Sequence, residues 1–537
     1  MNPLCLMLLL LPVMIAGCAP AQPQTYSSVA TAGQPANLIV EGLRAGPVMM
    51  KFANGELRYL QAGDGRGHNV EIVRRVYFAV RDQRFDTPSP KFDKITLVRN
   101  ADSFTADMSA RVTSKDVAYA WTGKIEGKSD GTIMYTVSGT AMKDFQSPRI
   151  GLNVLLPTNP LAGQQLILLV RHADQDKGLF SSMKPETFPK LPASWDPGKF
   201  VGIWYEPKLP GLKGDSSVKI VIGDRESGIE DQRQFGDSSY KMYGYLGYPF
   251  PRVAKDAKAS QILVIKPSDP ASVRSAAAQP DVIPVTLGKG MAKEVIPQIK
   301  LSHEAAKTGD FNTAANAKNK DAKALTWGFN PCMHLYDPDT LFENAPTVID
   351  QVAAVRANAS QARVTIDPIT FQWPYVGARP DGRVGTILGA AWSVEMVKQL
   401  ALAGADEGVF RLADAEWENS PAGDALRKLA QMSGKALLET TVDLPGRVPV
   451  SVLAVRDNPS VRTVFLVNRV NQRLKVVLSK VAQMQAVVGP IQLGNDQWMA
   501  GKDIYTCSDG GIQPKGSDVE IVIGPYAVLA FTLAEGE

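Results

Sequence analysis

The chain has 537 residues, of which 45% are hydrophobic and 21% charged, the composition of an ordinary globular protein. Its length predicts about three domains. Its net charge of +4 gives no support for nucleic-acid binding, which would need basic patches on a clearly basic domain, so no nucleic-acid partner is expected. With four histidines and no H-E-x-x-H, C-x-x-C or Walker pattern, no metal or other cofactor is expected.

The first segment, residues 1–17, is apolar and contains no Asp, Glu, Lys or Arg. It is too short for a good transmembrane span and is typical of a signal peptide. Residues 15–18, IAGC, resemble a bacterial lipobox, which predicts lipidation of Cys18 and a polar tether over residues 18–37. Ala19 favours the outer membrane, so we expect a lipid-anchored envelope protein that faces the periplasm or the surface. A plain secretory signal is the alternative.

Residues 38–267 contain short strand-like runs bounded by Gly, Asp, Asn or Pro, and several of these runs alternate polar and apolar side chains. This pattern predicts an N-terminal β-sandwich. A formal G-x-S-x-G match around Ser129 lies between two strand-like runs, so it predicts a hairpin turn rather than a serine nucleophile. An Ala/Ser/Pro-rich segment, residues 268–279, is typical of a linker.

Residues 280–433 alternate strand-like and helical patterns four times, which predicts parallel βα units. The first unit pairs the strand DVIPVTLG with a helix over residues 291–307. A complete (β/α)₈ barrel usually needs about 200 residues or more, so we expect a shortened TIM-barrel-like domain. Residues 435–537 return to strand-like runs and predict a C-terminal β-sandwich. The expected fold class is therefore multi-domain, α/β plus all-β.

The run EDQRQFGDSSYKMY, residues 230–243, is followed by Pro-Phe-Pro and resembles a motif of the D-apionate lactonase family. Residues 73–87 and RIGLNVLLP, residues 149–157, also resemble that family, as do NPCMHLYDPDTLFEN and the helix LGAAWSVEMVKQLALAGAD. The resemblance implies a β-sandwich, a TIM-like barrel and a C-terminal β-sandwich, and hydrolysis of a sugar-acid lactone. A block of the family's barrel is missing between Val285 and Leu325.

Lactone hydrolysis needs an activated water and a group that stabilises the tetrahedral oxyanion. Carboxylates and histidine can activate water, Arg and Lys can hold an oxyanion or a carboxylate, and aromatic rings can stack on sugars. The candidate catalytic residues are His334, Asp337, Glu230 and Asp231. The candidate substrate-binding residues are Arg233, Asp237, Lys241, Trp373 and Tyr375.

Each assignment has an alternative. The EDQR run is also typical of an ion-paired strand that holds the sandwich to the barrel, and Asp337 or Asp339 is well placed to cap the next helix. The protein could be a non-catalytic carbohydrate-binding or envelope scaffold protein on a degenerate barrel. It could also be a glycoside hydrolase that uses paired carboxylates among Asp414, Glu416 and Glu418. The expected partners are a carbohydrate or sugar-acid ligand and, through the lipid anchor, a membrane. The sequence leaves open whether Cys332 and Cys507 pair.

Overall fold

A computed structural model describes most of the chain. The described residues are 22–31, 34–63, 67–84, 86–170, 182–206, 217–223, 227–244, 252–267, 275–302, 310–315, 322–332, 335, 337–370, 381–411, 420–458, 461–479, 487–491, 512–515 and 518–534. The predicted signal peptide, Cys18 and Cys507 lie outside these residues, so the lipid anchor stays a prediction. Within them, no helix is long and apolar enough to cross a membrane.

Residues 22–267 are almost entirely β-structure. The elements are β1 (Gln24–Val29), β2 (Ile39–Ala45), β3 (Val48–Ala53), β4 (Glu56–Gly63), β5 (Asn69–Val80), β6 (Lys91–Arg99), β7 (Phe104–Thr113), β8 (Ala118–Gly127), β9 (Ile133–Ala141), β10 (Phe145–Gln146), β11 (Ile150–Pro157), the helical turn α1 (Thr158–Leu161), β12 (Gln165–Val170), β13 (Ser182–Thr187), β14 (Gly202–Tyr205), β15 (Val218–Ile222), β16 (Ser227–Asp231), β17 (Ser239–Gly244), β18 (Arg252–Val253) and β19 (Lys258–Pro267).

Two large sheets share one hydrophobic core. The ten-stranded sheet has the order β1-β6-β7-β8-β9-β19-β15-β14-β12-β13, and the seven-stranded sheet has the order β16-β17-β11-β5-β4-β3-β2. Strand β7 shows why they pack: Phe104, Met108 and Val112 alternate with exposed polar residues and turn inward. Strand β11 differs because all of its residues are buried, so both faces of the seven-stranded sheet are covered there.

Two predicted connecting segments are built into the sheets. Residues 24–29, predicted as tether, form β1 and pair with β6 along their whole length, because QTYSSV has the β-favouring residues of an edge strand. Residues 275–279, the described part of the predicted linker, are hydrogen-bonded to β2 and β5. Arg44 donates to the Ala276 carbonyl, and Asn69 exchanges two hydrogen bonds with Ala277. The predicted hairpin turn at Ser129 is confirmed between β8 and β9.

The second half of the chain mixes helices with strands. Its elements are β20 (Val282–Val295), β21 (Gln298–Ser302), α2 (Phe311–Ala315), β22 (Ala324–Phe329), α3 (Pro338–Asn344), α4 (Thr347–Asn358), β23 (Arg363–Ile369), α5 (Ile387–Ala403), β24 (Glu407–Arg411), α6 (Pro421–Gln431), β25 (Ala436–Val442), β26 (Val450–Asn458), β27 (Val461–Asn468), β28 (Leu474–Ser479), β29 (Val487–Ile491), β30 (Ile512–Lys515), β31 (Asp518–Ile523) and β32 (Val528–Ala534).

Four strands form a parallel sheet in the order β21-β24-β23-β22. Three of the predicted βα units are confirmed, since helices follow β22, β23 and β24. Local signals fix their ends: Ser420 caps α6 with Pro421 in its first turn, and Gly404 ends α5 at φ +69°. Helix α5 is buried on nearly all sides, because it lies between this sheet and the C-terminal strands.

The first predicted βα unit is wrong. Residues 282–295 form the long strand β20, which belongs to the nine-stranded sheet β29-β32-β27-β26-β25-β20-β28-β31-β30. Strand β20 runs antiparallel to β25 and parallel to β28, and Ile283, Val285 and Leu287 point into the core of that sheet. The predicted helix over 291–307 is replaced, in its described part, by the end of β20 and by β21. Cross-strand pairing here overrides the helical propensity of MAKEV.

Candidate active site between the seven-stranded sheet and helix α3

A row of charged side chains crosses the outer face of the seven-stranded sheet. Adjacent strands place these residues in register as neighbours, with Leu155 as the apolar member. In order across the sheet they are Lys51, Arg58, Arg75, Leu155, Lys241 and Glu230. Helix α3 and the segment before it cover this face, and we call the contact between them the seam.

Helix α3 brings acidic residues to the basic end of the row. Asp337 caps the helix by accepting from the Thr340 amide, and its oxygens lie 2.8 Å from Nη1 of Arg58 and 2.9 Å from Nη1 of Arg75. Burial would raise the pKa of Asp337, but the two arginines hold that pKa well below its usual range. A carboxylate held in this way is a poor base, so its placement favours the capping role over the catalytic one.

The next acids of α3 contact both the C-terminal part of the chain and the seven-stranded sheet. Asp339 accepts a hydrogen bond from the Tyr526 hydroxyl at 2.9 Å, and Glu343 accepts one from the Tyr59 hydroxyl. The Arg447 guanidinium stacks 3.9 Å from the centre of the Tyr59 ring. Helix α3 therefore joins the seven-stranded sheet to the strands at the end of the chain.

The EDQR run is a strand that ends in a tight turn. Strand β16 stops at Asp231, and residues 232–235 form a 3₁₀ turn in which Asp231 accepts from the Arg233 amide. Because the strand ends there, the alternation of faces along β16 does not extend to Arg233. Glu230 remains on the outer face of the sheet, next to Lys241.

Asp231 and Arg233 are buried in a structural ion pair. The Arg233 side chain is 0% exposed, lies 2.8 Å from Asp231 and also contacts Asp350 of α4 at 3.1 Å. It donates further to the carbonyls of Pro189 and Lys190. Burial lowers the pKa of Arg233, but Asp231 raises it above its ordinary value, so the guanidinium stays charged. This geometry favours the alternative in which these residues hold the sheet to the helical layer.

Lys241, Glu230 and Arg149 form a charged cluster at the other end of the row. Nζ of Lys241 lies 3.4 Å from Oε1 of Glu230, and Nη1 of Arg149 lies 3.1 Å from the same oxygen. The Lys241 side chain is 1% exposed, whereas that of Glu230 is 26% exposed. Burial first, and then the charges of Arg81 and Arg149, lower the pKa of Lys241 well below its usual range. A buried lysine whose pKa is lowered in this way is a recognised mark of a functional site.

A narrow cavity adjoins this cluster. Its walls include Lys241, Asp237, Tyr77, Leu335 and Glu343, and its volume of about 10 Å³ is roughly the room for one water molecule. Asp237 is held in place by the Asn344 side-chain amide at 2.9 Å. Leu335 packs on Tyr77, Ala79 and Leu155 of the same face.

Several predicted site residues lie outside the described residues. These are His334, Trp373 and Tyr375, together with the carboxylates Asp414, Glu416 and Glu418 of the glycosidase alternative.

Asp367 lies in β23, and burial and the charge of Glu407 raise its pKa. Within the part of the chain that the structure describes, no cluster of His, Cys, Asp or Glu could hold a metal ion. Cys332 is buried and has a free thiol.

The structure adds three residues that the sequence did not single out as a site. Arg149 was noticed only as part of a resembling motif, although it contacts Glu230 and stacks 3.5 Å above the Tyr243 ring. Tyr77 lines the cavity, and Arg81 lies close enough for its charge to lower the pKa of Lys241. The available signal was the alternation of Arg75, Tyr77 and Arg81 at the end of a strand, which places them on one face.

Fold and seam together define a mostly β-stranded protein of several sheets with one parallel α/β layer. Residues 30–270 match the family described as D-apionate lactonase, N-terminal domain. The resemblance to the D-apionate lactonase family is thus confirmed over these residues, which are similar to that family's N-terminal domain.

Individual proteins are similar over parts of their length. The D-apionate lactonase of Brucella anthropi is 27% identical over 262 residues, which are 48% of this chain and 40% of that protein. The GH51 arabinofuranosidase from Xanthomonas axonopodis pv. citri is 10% identical with a TM-score of 0.32, over 46% of this chain and 59% of that one. The GalM/aldose epimerase homologue from C. elegans is 10% identical with a TM-score of 0.30, over 43% of this chain and 99% of that one.

Proposed function

We propose that this protein is a carbohydrate-active hydrolase that opens a sugar-acid lactone, or a related ester, at the seam. The observation that carries the proposal is the Glu230–Lys241–Arg149 cluster, in which a partly exposed carboxylate meets a buried lysine of lowered pKa. The similarity of residues 30–270 to the lactonase N-terminal domain supports the same reaction class.

The cluster has the groups that ester hydrolysis needs. Glu230 positions a water molecule on its exposed edge and takes a proton from it as the water attacks the lactone carbonyl. Arg149 donates to the negative oxygen of the tetrahedral intermediate. When the ring C–O bond breaks, Lys241 gives a proton to the leaving alkoxide, and a lowered pKa makes an ammonium group a better donor. His334, next to Leu335, is the second candidate base.

Hydrolysis of a panel of aldonolactones by the purified protein, followed as acid release at constant pH, tests this proposal. We expect Glu230→Gln to lower kcat/KM by about 10²–10⁴-fold, as for loss of a general base. Lys241→Met removes the proton donor and should lower kcat more than it changes KM.

Matched controls are available on the other sheet. Lys124 and Glu126 form an exposed ion pair at 2.8 Å on β8, so Glu126→Gln and Lys124→Met should leave the rates unchanged. Equal activity of the Glu230→Gln and Glu126→Gln proteins would remove Glu230 from the mechanism. If no lactone of the panel is opened, the proposed reaction is wrong.

A non-catalytic carbohydrate-binding protein is the second candidate. It is favoured by the placement of Asp231, Arg233 and Asp337. Their charged groups form ion pairs at the contact between the seven-stranded sheet and the helices, so they are not available to a substrate. Such a protein would gain thermal stability with a sugar acid present and would release no acid from any lactone. The two candidates therefore give opposite results in the same assay.

The finer architecture is part of the proposal. In a closed barrel of parallel strands, the first strand pairs with the last, and here β21 pairs with β24 while β22, β23 and β24 follow in order. We therefore interpret the parallel sheet as the first and the last three strands of a shortened TIM-like barrel, set between an N-terminal and a C-terminal β-sandwich. A lipid anchor on Cys18 completes the proposal, and labelling of the exported protein with palmitate tests it.

A further inference from the structure

Arg81 lies at the end of β5, beside the charged cluster. Its amide donates to the Arg149 carbonyl at 3.0 Å, which continues the pairing of β5 with β11 by one residue. Alternation along β5 puts Arg81 on the same face as Arg75 and Tyr77. It therefore faces the seam, although it lies outside the EDQR run and has no role in the proposed mechanism.

The Arg81 guanidinium is buried without compensation. The residue is 3% exposed, and its Nε is buried with no hydrogen-bond partner. Among the residues that the structure describes, no carboxylate lies within ion-pairing distance of it. By contrast, Arg58 and Arg75 contact Asp337, and Arg233 contacts Asp231. A buried cation without a partner is costly, so Arg81 calls for an anion that the described residues do not supply.

The acids near Arg81 are engaged by other groups. Arg149 and Lys241 share one carboxylate, Glu230, through the same oxygen. The positive charge of Arg81 acts on both Lys241 and Tyr77, two residues that line the cavity. Asp237 accepts from the Asn344 side chain, and Asp82 and Asp86 accept from backbone amides of their own turn. An added anion could therefore pair with the Arg81 guanidinium without displacing a carboxylate of the described residues.

We propose that Arg81 is the anion subsite of the seam and binds the carboxylate of a sugar acid. This inference rests on the proposed function, because opening a lactone creates that carboxylate. A guanidinium suits the group, since its planar fork can donate two parallel hydrogen bonds to a carboxylate. The carboxylate can come from the opened product or from an acidic substituent on the sugar ring, and the two sources are separated below.

Isothermal titration calorimetry of the full-length protein tests the subsite with four probes: D-gluconate, D-glucuronate, D-glucitol and inorganic phosphate. Gluconate and glucitol have the same carbon chain and differ in the carboxylate. We expect gluconate to bind at least ten-fold more tightly than glucitol. Tighter binding of glucuronate than gluconate would assign the carboxylate to a ring substituent. Preference for phosphate over both sugar acids would overturn the proposal.

Substitutions at Arg81 identify the residue that recognises the carboxylate. We expect Arg81→Met to weaken the tighter sugar acid by about 10- to 100-fold, the usual range for a charge-assisted hydrogen bond, and to leave glucitol unaffected. Arg81→Lys keeps the charge without the fork and should give an intermediate affinity. Arg111→Met, at an exposed arginine paired with Asp93 on β7, is the matched control and should bind as the unsubstituted protein does. Thermal unfolding confirms that each variant is folded.

Failure of the inference and failure of the proposed function are distinguishable. If Arg81→Met binds the sugar acids as tightly as the unsubstituted protein, or if no sugar acid binds better than glucitol, the subsite is wrong whether or not lactones are opened. If sugar acids bind through Arg81 and no lactone is opened, the subsite holds and the hydrolase proposal fails.

Discussion

Two basic residues of the EDQR region are equally buried, but their surroundings differ. Arg233 is fully enclosed and is bound by Asp231 and Asp350 and by two carbonyls. Lys241 is also enclosed, but its nearest anion is the partly exposed Glu230, which it shares with Arg149. Burying Lys241 therefore lowers the free energy of unfolding, whereas the Arg233 contacts raise it. This difference distinguishes a structural cation from a functional one.

Lys241→Met is expected to stabilise the protein at pH 7. The folded-state pKa of Lys241 is below its unfolded value, so the unfolded chain binds more protons and stability rises with pH up to about 10.4. The variant does not titrate at this position. The difference in Tm between variant and unsubstituted protein should therefore be largest near pH 7 and shrink toward pH 10, as measured by thermal unfolding in both buffers.

Lys124→Met is the control for this measurement, because Lys124 is exposed and paired with Glu126. It should change Tm little at either pH. A Lys241→Met protein that is less stable at pH 7 would show that the lysine contributes to the fold and would remove the argument for its function.

At the scale of elements, the turn after β16 connects the seven-stranded sheet to α4. Arg233 reaches Asp350, and its carbonyl accepts from the Gln351 side chain, which in turn accepts from the Trp327 indole of β22. A short 3₁₀ turn can make these contacts, while a continued strand would carry Arg233 away from the helix. The local signal was present in the sequence as Asp231 two residues before Arg233 and Gly236 after it, since Asp caps turns and Gly236 adopts φ +98°.

Removing Arg233 should be strongly destabilising. Arg233→Met leaves Asp231 buried and unpaired, so we expect a loss of about 3–5 kcal/mol in the free energy of unfolding. Asp231→Asn alone should also destabilise. The double variant should lose less than the sum of the two by about 1 kcal/mol or more, because the partners are coupled. Urea unfolding of the four proteins measures this coupling.

The exposed pair Arg111 and Asp93 gives the comparison. The same double-mutant cycle there should give a coupling of about 0–1 kcal/mol, as surface pairs do. If the two cycles give equal couplings, the Arg233 contacts are no more than a surface ion pair, and the account of the seam at α4 is wrong.

At the scale of the whole molecule, α3 connects parts of the chain that are far apart in sequence. Its first acid contacts Arg58 and Arg75 of the seven-stranded sheet, while Asp339 contacts Tyr526 near the end of the chain. Buried charges on one side are balanced by opposite charges on the other, so separating the parts would expose unmatched groups of both signs. The parts should therefore unfold together.

Scanning calorimetry should show one main unfolding transition. The double variant Arg58→Met and Arg75→Met removes the partners of Asp337 and should divide it into two transitions. The double variant Arg84→Met and Arg111→Met, at exposed arginines, should keep one. Two separate transitions in the unsubstituted protein would mean that the contacts of α3 do not couple the parts.

The sequence by itself determined what depends on neighbours along the chain. Alternation of polar and apolar residues predicted the strands of residues 38–267. The strand-like runs on either side of Ser129 predicted the hairpin turn between them, and helical periodicity after strand-like runs predicted three βα units. Capping was among the alternatives for Asp337, because Asp before Pro starts a helix. The family resemblance was carried by several short contiguous runs, above all residues 230–243, so it too followed from local sequence.

Only the tertiary structure decided which strands and charges meet. Strand β20 left the predicted barrel because its apolar face completes the C-terminal core between β25 and β28. Glu230 meets Arg149 from 81 positions earlier, and Arg58 meets Asp337 from 279 positions later. The chain's local preferences do not encode these encounters, because their free energy comes from burying surfaces against each other and from pairing the charges that burial encloses. The unpaired Arg81 is visible only once that pairing is complete.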